Sequence, residues 1–215
     1  MIAGSAKNVS LSCKSKYTPM LIKHLYGDDD EMVRSLFCSD IESTIILSMV
    51  EDEKITEWLA SAGKTSEPKL LYRASRDGWS ASDFHRMCNG KGATVTVVKS
   101  SGGYIFGGYT DVAWGERGGW KSSAESFLFS LKDHAGIGPV KMPIKSGKRA
   151  VCHHSFSGPS FGRGDDLCVD SNANANNSSS CNVGNTYDLP SNTNDPQFLT
   201  GSEYFTVSEW EVFLV

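Results

Sequence analysis

Three glutamates lie where a carboxylate could bind a partner or take part in acid/base catalysis. Glu125, Glu209 and Glu211 each lie in a segment patterned like a β-strand, where a charge is costly unless it is paired or faces water. If the three converge, they form an acidic surface that a protein partner can contact. Two of them could instead act as a general acid and base, although no spacing in the sequence sets their separation. Structural ion pairing with Arg73 or Arg76 is the alternative to both roles.

Cysteine thiols are the second group that could carry chemistry. Cys152 comes directly before His153 and His154, and Cys168 and Cys181 follow downstream. A thiol reacts with peroxide when it is an exposed thiolate beside positive charge, whereas a buried thiol behaves as a small apolar group. Both interpretations stay open for these three cysteines. Adjacent residues of a strand point to opposite faces, so the two histidines disfavour a shared zinc ion, and we predict no metal and no cofactor.

Two further patterns resemble functional motifs without completing them. The segment that starts at Asp170 begins like a calcium loop, but Ala175 stands where the loop needs glycine and Cys181 where it needs glutamate. We therefore predict a solvated loop. His85 could be a general base, yet no nucleophile in an elbow-like setting accompanies it, which favours a hydrogen-bonded structural histidine.

A helix followed by a hairpin is the clearest local prediction. Ser80 stands three residues before Asp83, a spacing that caps a helix over about residues 81–88. After a glycine-rich break, the segments 94–100 and 104–110 are patterned as two strands of a β-hairpin. Two adjacent glycines, Gly107 and Gly108, indicate a bulge or a close backbone approach in the second strand.

Other segments complete the predicted organisation. Residues 51–62 place apolar side chains on one helical face, and residues 126–132 alternate like a strand. Residues 1–42 predict two short helices in an N-terminal extension to a domain over residues 43–215. The Asn/Ser-rich tract over about residues 171–197 predicts a long surface loop, because such residues build no apolar core.

Composition excludes several classes of protein. The chain has 215 residues, is 39% hydrophobic and carries a formal net charge of -4. It has no basic run that would track a phosphate backbone, so we expect no nucleic-acid partner. It also has no apolar run of the roughly 20 residues that cross a bilayer and no segment of signal-peptide type, so we expect no membrane insertion and a cytoplasmic or nuclear location. Six irregularly spaced cysteines fit reduced thiols.

Eight short motifs follow one another along about residues 43–215. They are Leu71-Tyr72-Arg73 with Asp77-Gly78-Trp79, Phe84-His85, Gly92 to Val98, Phe106-Gly107-Gly108-Tyr109, Glu125-Ser126-Phe127-Leu128-Phe129, Phe161-Gly162 with Asp166-Leu167, Gly184-Asn185, and Ser208-Glu209-Trp210-Glu211-Val212-Phe213. None is specific alone, but in this order they resemble the TLDc domain, the module of oxidation-resistance proteins and their relatives. The enlarged Asn/Ser tract and residues 1–42 depart from that pattern.

The resemblance implies both a fold and a function. The fold is α+β and mainly β, a sandwich of two antiparallel sheets flanked by a few short helices. The function is that of a non-enzymatic protein-interaction module, linked to resistance against oxidative stress and to binding and regulation of the vacuolar proton-pumping ATPase. Subunits of that ATPase are then the expected partners, through which the chain could reach organelle membranes. A redox or hydrolytic enzyme that uses a cysteine or a carboxylate pair, and a calcium- or metal-regulated scaffold, are the competing hypotheses.

Overall fold

The computed structural model describes residues 46–47 and 49–215, which contain three helices and twelve strands. The two short helices predicted within residues 1–42 lie outside the described residues. The helices are α1 (Met49–Ser61), α2 (Ala74–Asp77) and α3 (Ala81–Cys88). The strands are β1 (Lys69–Arg73), β2 (Thr94–Ser100), β3 (Ile105–Thr110), β4 (Trp120–Lys121), β5 (Phe127–Lys132), β6 (Val140–Pro143), β7 (Val151–Cys152), β8 (Ser157–Phe161), β9 (Leu167–Asp170), β10 (Ser179–Cys181), β11 (Tyr204–Phe205) and β12 (Val207–Leu214).

Two antiparallel sheets of six strands each form the sandwich. The first sheet has the order β1-β12-β2-β3-β5-β6, and the second has the order β11-β10-β9-β8-β7-β4. The C-terminal strand β12 therefore lies between β1 and the hairpin β2–β3, although the sequence separates it from both. This arrangement confirms the predicted fold class, a mainly β protein with two antiparallel sheets and a few short helices.

The main core lies between the two sheets. Val98, Phe106 and Leu128 enter it from the first sheet, and Val151 and Phe161 enter it from the second; all five are at most 1% exposed. Alternation along each strand sends every second side chain into this layer. Each sheet thus buries its inner face against the other, the packing expected of a β-sandwich.

A second apolar cluster covers the outer face of the first sheet. Ile55 and Leu59 of α1 pack on this face together with Phe129 and Phe213. The Trp58 ring lies 5.9 Å from the Phe129 ring. Because α1 covers this face, the strands β2, β3 and β5 of the first sheet are buried on both sides.

The predicted capped helix is confirmed as α3. The Ser80 hydroxyl accepts a hydrogen bond from the Asp83 amide, and the Asp83 carboxylate accepts one from the Ser80 amide, so the two residues form a capping box. Phe84 and Cys88 are fully buried on the apolar face, whereas Arg86 is exposed at the surface. The local capping box thus sets the start of this helix, and apolar periodicity sets its buried face.

The hairpin is confirmed as β2 and β3, but the bulge predicted at Gly107 and Gly108 is wrong. Both glycines pair in regular register with β2 and with β5, and the irregularity of β3 lies between Ile105 and Phe106. A Cβ atom on Gly107 would lie 1.9 Å from the Thr96 carbonyl oxygen. Close backbone approach, the other predicted role, is therefore the reason for glycine here.

The Asn/Ser-rich tract over residues 171–197, predicted as one long surface loop, contains a short strand. Strand β10 lies within that tract and pairs with both β9 and β11. Asn176 donates hydrogen bonds from its side-chain amide to the carbonyls of Ser171 and Asn172, and Ala173 is fully buried. The polar side chains hold the backbone by hydrogen bonds, and Ala173, Val183 and Tyr187 anchor the tract in the main core.

Candidate functional site

Glu211 of β12 forms an ion pair with Arg73 of β1. The two residues stand directly opposite each other in the antiparallel ladder, and the Arg73 Nε donates to Glu211 Oε1 at 2.5 Å. The Glu211 side chain has no exposed surface, and that of Arg73 is 15% exposed. This contact confirms the structural pairing with Arg73 that the sequence left open as an alternative. The Glu211 carboxylate is therefore buried and not available at the surface.

Glu209 is also buried, at 4% exposure. Its Oε1 accepts hydrogen bonds from the amide of Ser75, in the first turn of α2, and from the amide of Trp210. A carboxylate at the start of a helix is stabilised by the free amides there. Together, Glu209 and Glu211 connect β12 to β1 and α2.

Glu125 stands apart from the other two glutamates. It is exposed and immediately precedes Ser126 and β5. In the first sheet β5 is separated from β12 by β2 and β3, which places the strands about 14 Å apart at ordinary strand spacing. The structure therefore brings Glu209 and Glu211 onto one strand but does not bring Glu125 to them, so the three carboxylates do not converge.

The three candidate cysteines lie on two faces of the second sheet. Cys181 is fully buried in the core between the sheets. Cys152 and Cys168 belong to the opposite face, where Cys152 is 2% exposed and Cys168 is half-buried. The Cys152 Sγ lies 2.9 Å from Nε2 of His154. A thiol next to an imidazole is a pairing that can activate a nucleophile, so this contact is the strongest chemical feature among the thiols.

Burial keeps these thiols protonated at neutral pH. Desolvation, with a smaller contribution from the Asp165 charge, raises the pKa of Cys152 above its usual value and that of Cys168 to about 12. Burial also raises the pKa of Cys181 to about 11, although a hydrogen bond with Thr200 acts in the opposite direction. A raised pKa means that thiolate forms only at alkaline pH, which opposes nucleophilic reactivity near pH 7.

We expect Cys152, Cys168 and Cys181 of the folded chain to react with iodoacetamide at pH 7.5 at least about tenfold more slowly than in the urea-unfolded chain. The reason is that raised pKa values hold the thiols protonated, so the rates should still be rising above pH 9. Peptide mapping by mass spectrometry measures each site separately. The matched variant His154→Gln should leave the alkylation rate of Cys152 unchanged. The prediction is contradicted if Cys152 of the folded chain reacts as fast as in the unfolded chain and reacts more slowly in His154→Gln.

The histidines near these thiols have structural contacts. His85 is buried, and its Nε2 lies 2.7 Å from the His154 carbonyl oxygen, while its Nδ1 contacts the Asn89 side chain. It therefore joins α3 to the segment before β8, which confirms the predicted hydrogen-bonded structural histidine. His153 packs against Trp114, whereas the His154 ring stacks on Phe156 at 4.8 Å. The two adjacent histidines thus point to different surroundings.

One buried carboxylate organises a loop that the sequence did not single out. Asp166 has no exposed surface, and its Oδ1 accepts hydrogen bonds from the amides of Gly184, Asn185, Thr186 and Tyr187. Such a cluster of amides holds the loop after β10 against the turn after β8. Sequence reasoning could not find this role, because the partners lie about twenty residues downstream.

Within residues 46–47 and 49–215, no group of three or more His, Cys, Asp or Glu residues is arranged to hold a metal ion. The segment that resembles a calcium loop bends at Asn172, which has a φ of 55°, and Ser171 accepts a hydrogen bond from the amide of Ala81. None of the described helices is long and apolar enough to cross a membrane.

Comparison with known proteins identifies a family. Residues 41–215 match the family model of the TLDc domain. The MTOR-associated protein MEAK7 of Danio rerio is 30% identical over 73 residues, which make up 34% of this chain and 16% of that relative. The match thus spans far less than two thirds of the relative's length. The predicted resemblance is confirmed, and the chain belongs to the TLDc domain family.

Proposed function

We propose that this chain is a non-enzymatic protein-interaction module. The observation that carries the proposal is the family match over residues 41–215, which includes all of the described sandwich. The name of the relative, an MTOR-associated protein, likewise describes a protein association. A rigid sandwich that presents loops and edge strands is well suited to such contacts, because its surface can vary while the core keeps its shape.

The polar groups that could have served catalysis support the same proposal. Glu211 contacts Arg73, Glu209 holds the start of α2, and Asp166 holds a loop. His85 joins two segments of backbone. Each of these contacts stabilises the fold, and buried polar groups generally require such partners. Because these groups stabilise the fold, the geometry supports protein binding better than catalysis.

The proposed partner is the vacuolar proton-pumping ATPase, and the proposed role is its regulation during resistance to oxidative stress. Both follow from the TLDc family and stand as proposals for this chain. The chain would then act in the cytoplasm or nucleus, or at organelle membranes through its partner. Of the three glutamates singled out in the sequence, Glu125 is the one placed for direct contact, since it is exposed. Glu209 and Glu211 are buried on β12, three strands away from Glu125, so the proposed contact does not include them.

We expect Glu125→Lys to lower recovery of purified vacuolar ATPase in a pull-down with the purified chain by about tenfold. The reason is that a basic group of the partner that attracts the Glu125 carboxylate would repel the lysine. The matched control is Glu53→Lys, which reverses another exposed charge, on α1. Circular dichroism checks that both variants fold. Unchanged recovery with Glu125→Lys would remove this residue from the interface, and no recovery with the unaltered chain would remove the ATPase as the partner.

The 2.9 Å contact between Cys152 Sγ and His154 Nε2 favours one second candidate, a thiol-dependent redox or hydrolytic enzyme. Its weakness is the raised pKa of Cys152, which leaves little thiolate at neutral pH. The alkylation rates described above separate the two candidates. Fast, His154-dependent reaction of Cys152 would favour the enzyme, and slow reaction would favour the interaction module.

A further inference from the structure

An open cavity of about 540 Å³ lies where three loops meet. The loops are residues 145–149 between β6 and β7, the turn 162–166 between β8 and β9, and residues 184–187 after β10. Small-molecule sites usually have volumes of roughly 300 to 1,000 Å³. No aspartate or glutamate lines the cavity, whereas its cationic lining residues are Lys145, Lys148, Arg149 and Arg163.

Hydrogen bonds hold the three loops together. The Lys145 amide donates to the Thr186 carbonyl at 2.9 Å, and the Arg163 amide donates to Thr186 Oγ1 at 2.7 Å. The Lys145 Nζ also donates to the Gly184 carbonyl. The buried Asp166 carboxylate fixes residues 184–187 through their amides. The loops that carry the cationic side chains are therefore held in one arrangement, which lowers the cost of ordering them around a ligand.

The four cationic side chains have no opposite charge to neutralise them. All four residues are exposed, and none forms an ion pair with a residue in the described part of the chain. Like charges around one cavity repel each other, and an anion placed among them relieves that repulsion. The charge therefore sets the sign of a ligand for this cavity.

A nearly buried hydroxyl in the lining independently calls for an acceptor. Thr186 is 8% exposed and lines the cavity. Its Oγ1 accepts the hydrogen bond from the Arg163 amide, but its own O–H meets no acceptor among the described residues. Buried polar groups in folded proteins almost always have their partners. An anion in the cavity offers an oxygen that accepts this hydrogen, whereas a cation does not.

Phosphate is the anion that best fits these groups. The planar guanidinium of an arginine donates two parallel hydrogen bonds to a phosphate, and the cavity has two arginines, Arg149 and Arg163. A phosphate monoester has three acceptor oxygens and a charge of about -1.5 to -2 at pH 7. Two phosphate groups therefore match the four positive charges, whereas a single carboxylate leaves most of them unpaired.

We propose that this cavity binds a small molecule or lipid headgroup that carries two phosphate groups. The phosphate oxygens accept from the Arg149 and Arg163 guanidinium groups, the Lys145 and Lys148 ammonium groups and the Thr186 hydroxyl. The site goes beyond the proposed interaction function, which does not require it.

The test is a calorimetric titration of the full chain with inorganic pyrophosphate. It uses about 150 mM salt, which screens exposed charges beyond roughly 8 Å. We expect saturable binding, and the double variant Lys148→Gln with Arg163→Gln should weaken it at least about tenfold. The matched control Lys69→Gln with Lys132→Gln removes two exposed lysines of the first sheet. It changes the net charge equally and should bind pyrophosphate as the unaltered chain does.

Vesicles distinguish the two sources of the phosphate groups. Sedimentation of the chain with phosphatidylcholine vesicles that contain a doubly phosphorylated inositol lipid, but not with phosphatidylcholine alone, would assign the site to a lipid headgroup. The Lys148 and Arg163 double variant should then stay in solution. Binding of pyrophosphate without sedimentation would assign the site to a soluble ligand.

The proposal is wrong if neither probe binds, or if the double variant binds as well as its matched control. Pyrophosphate-induced shifts of ¹⁵N-labelled amides that are confined to residues outside the three loops would also overturn it. The four substituted side chains are exposed, so circular dichroism should show that both double variants fold. Recovery of the ATPase judges the interaction function separately, whatever the outcome with phosphate.

Discussion

Arg73→Met is expected to lower the free energy of unfolding by about 3–5 kcal/mol, the usual cost of removing one partner of a buried ion pair. The substitution leaves the fully buried Glu211 carboxylate without the guanidinium that stands opposite it. Methionine keeps much of the length of the arginine side chain, so the loss reports mainly on charge. Urea unfolding followed by tryptophan fluorescence measures the change.

Two companion variants test the cause of that loss. Lys54→Met removes an ion pair with Glu57 whose side chains are 43% and 65% exposed, and it should change stability by less than about 0.5 kcal/mol. Adding Glu211→Leu to Arg73→Met should restore at least half of the stability, since apolar replacements of buried pairs are often tolerated. If the double variant is as unstable as Arg73→Met alone, the buried charge is not the cause.

Gly107→Ala is the second substitution for which we expect a large effect, a loss of at least about 3 kcal/mol. The added methyl would lie 1.9 Å from the Thr96 carbonyl oxygen and 2.8 Å from the Phe129 ring. A backbone carbonyl in a paired strand cannot turn aside, so β2 and β3 must separate at the centre of the first sheet. Urea unfolding of the variant measures the loss.

The neighbouring glycine provides the comparison. A Cβ atom on Gly108 would lie 2.8 Å from side-chain atoms of Leu128 and Phe161, on the opposite face of the same strand. Side chains can move more easily than a backbone carbonyl, so Gly108→Ala should cost about 1–3 kcal/mol, less than Gly107→Ala. Equal stability of Gly107→Ala and the unaltered chain would mean that the two strands are not held at this separation.

Local signals in the sequence determined the elements whose residues are close together along the chain. The Ser80–Asp83 capping box set the start of α3, and the glycine-separated β-branched segments set the hairpin. Amphipathic spacing likewise predicted α1. These features depend on hydrogen bonds and turns within a few residues, so neighbouring residue types are enough to predict them. The ordered series of motifs identified the TLDc family in the same way, without coordinates.

Tertiary structure alone decided what the polar residues contact. The sequence named Glu211 and Arg73 as possible partners, but only the pairing of β12 with β1 placed them opposite each other. In the second sheet, the pairing of β10 with β9 ordered the Asn/Ser tract. The pairing of the two edge strands with their neighbours placed Trp120 and Tyr204 at opposite edges of that sheet. Each of these outcomes joins residues that are distant in sequence, and whether a charge is buried or a ring exposed depends on the layer that covers it.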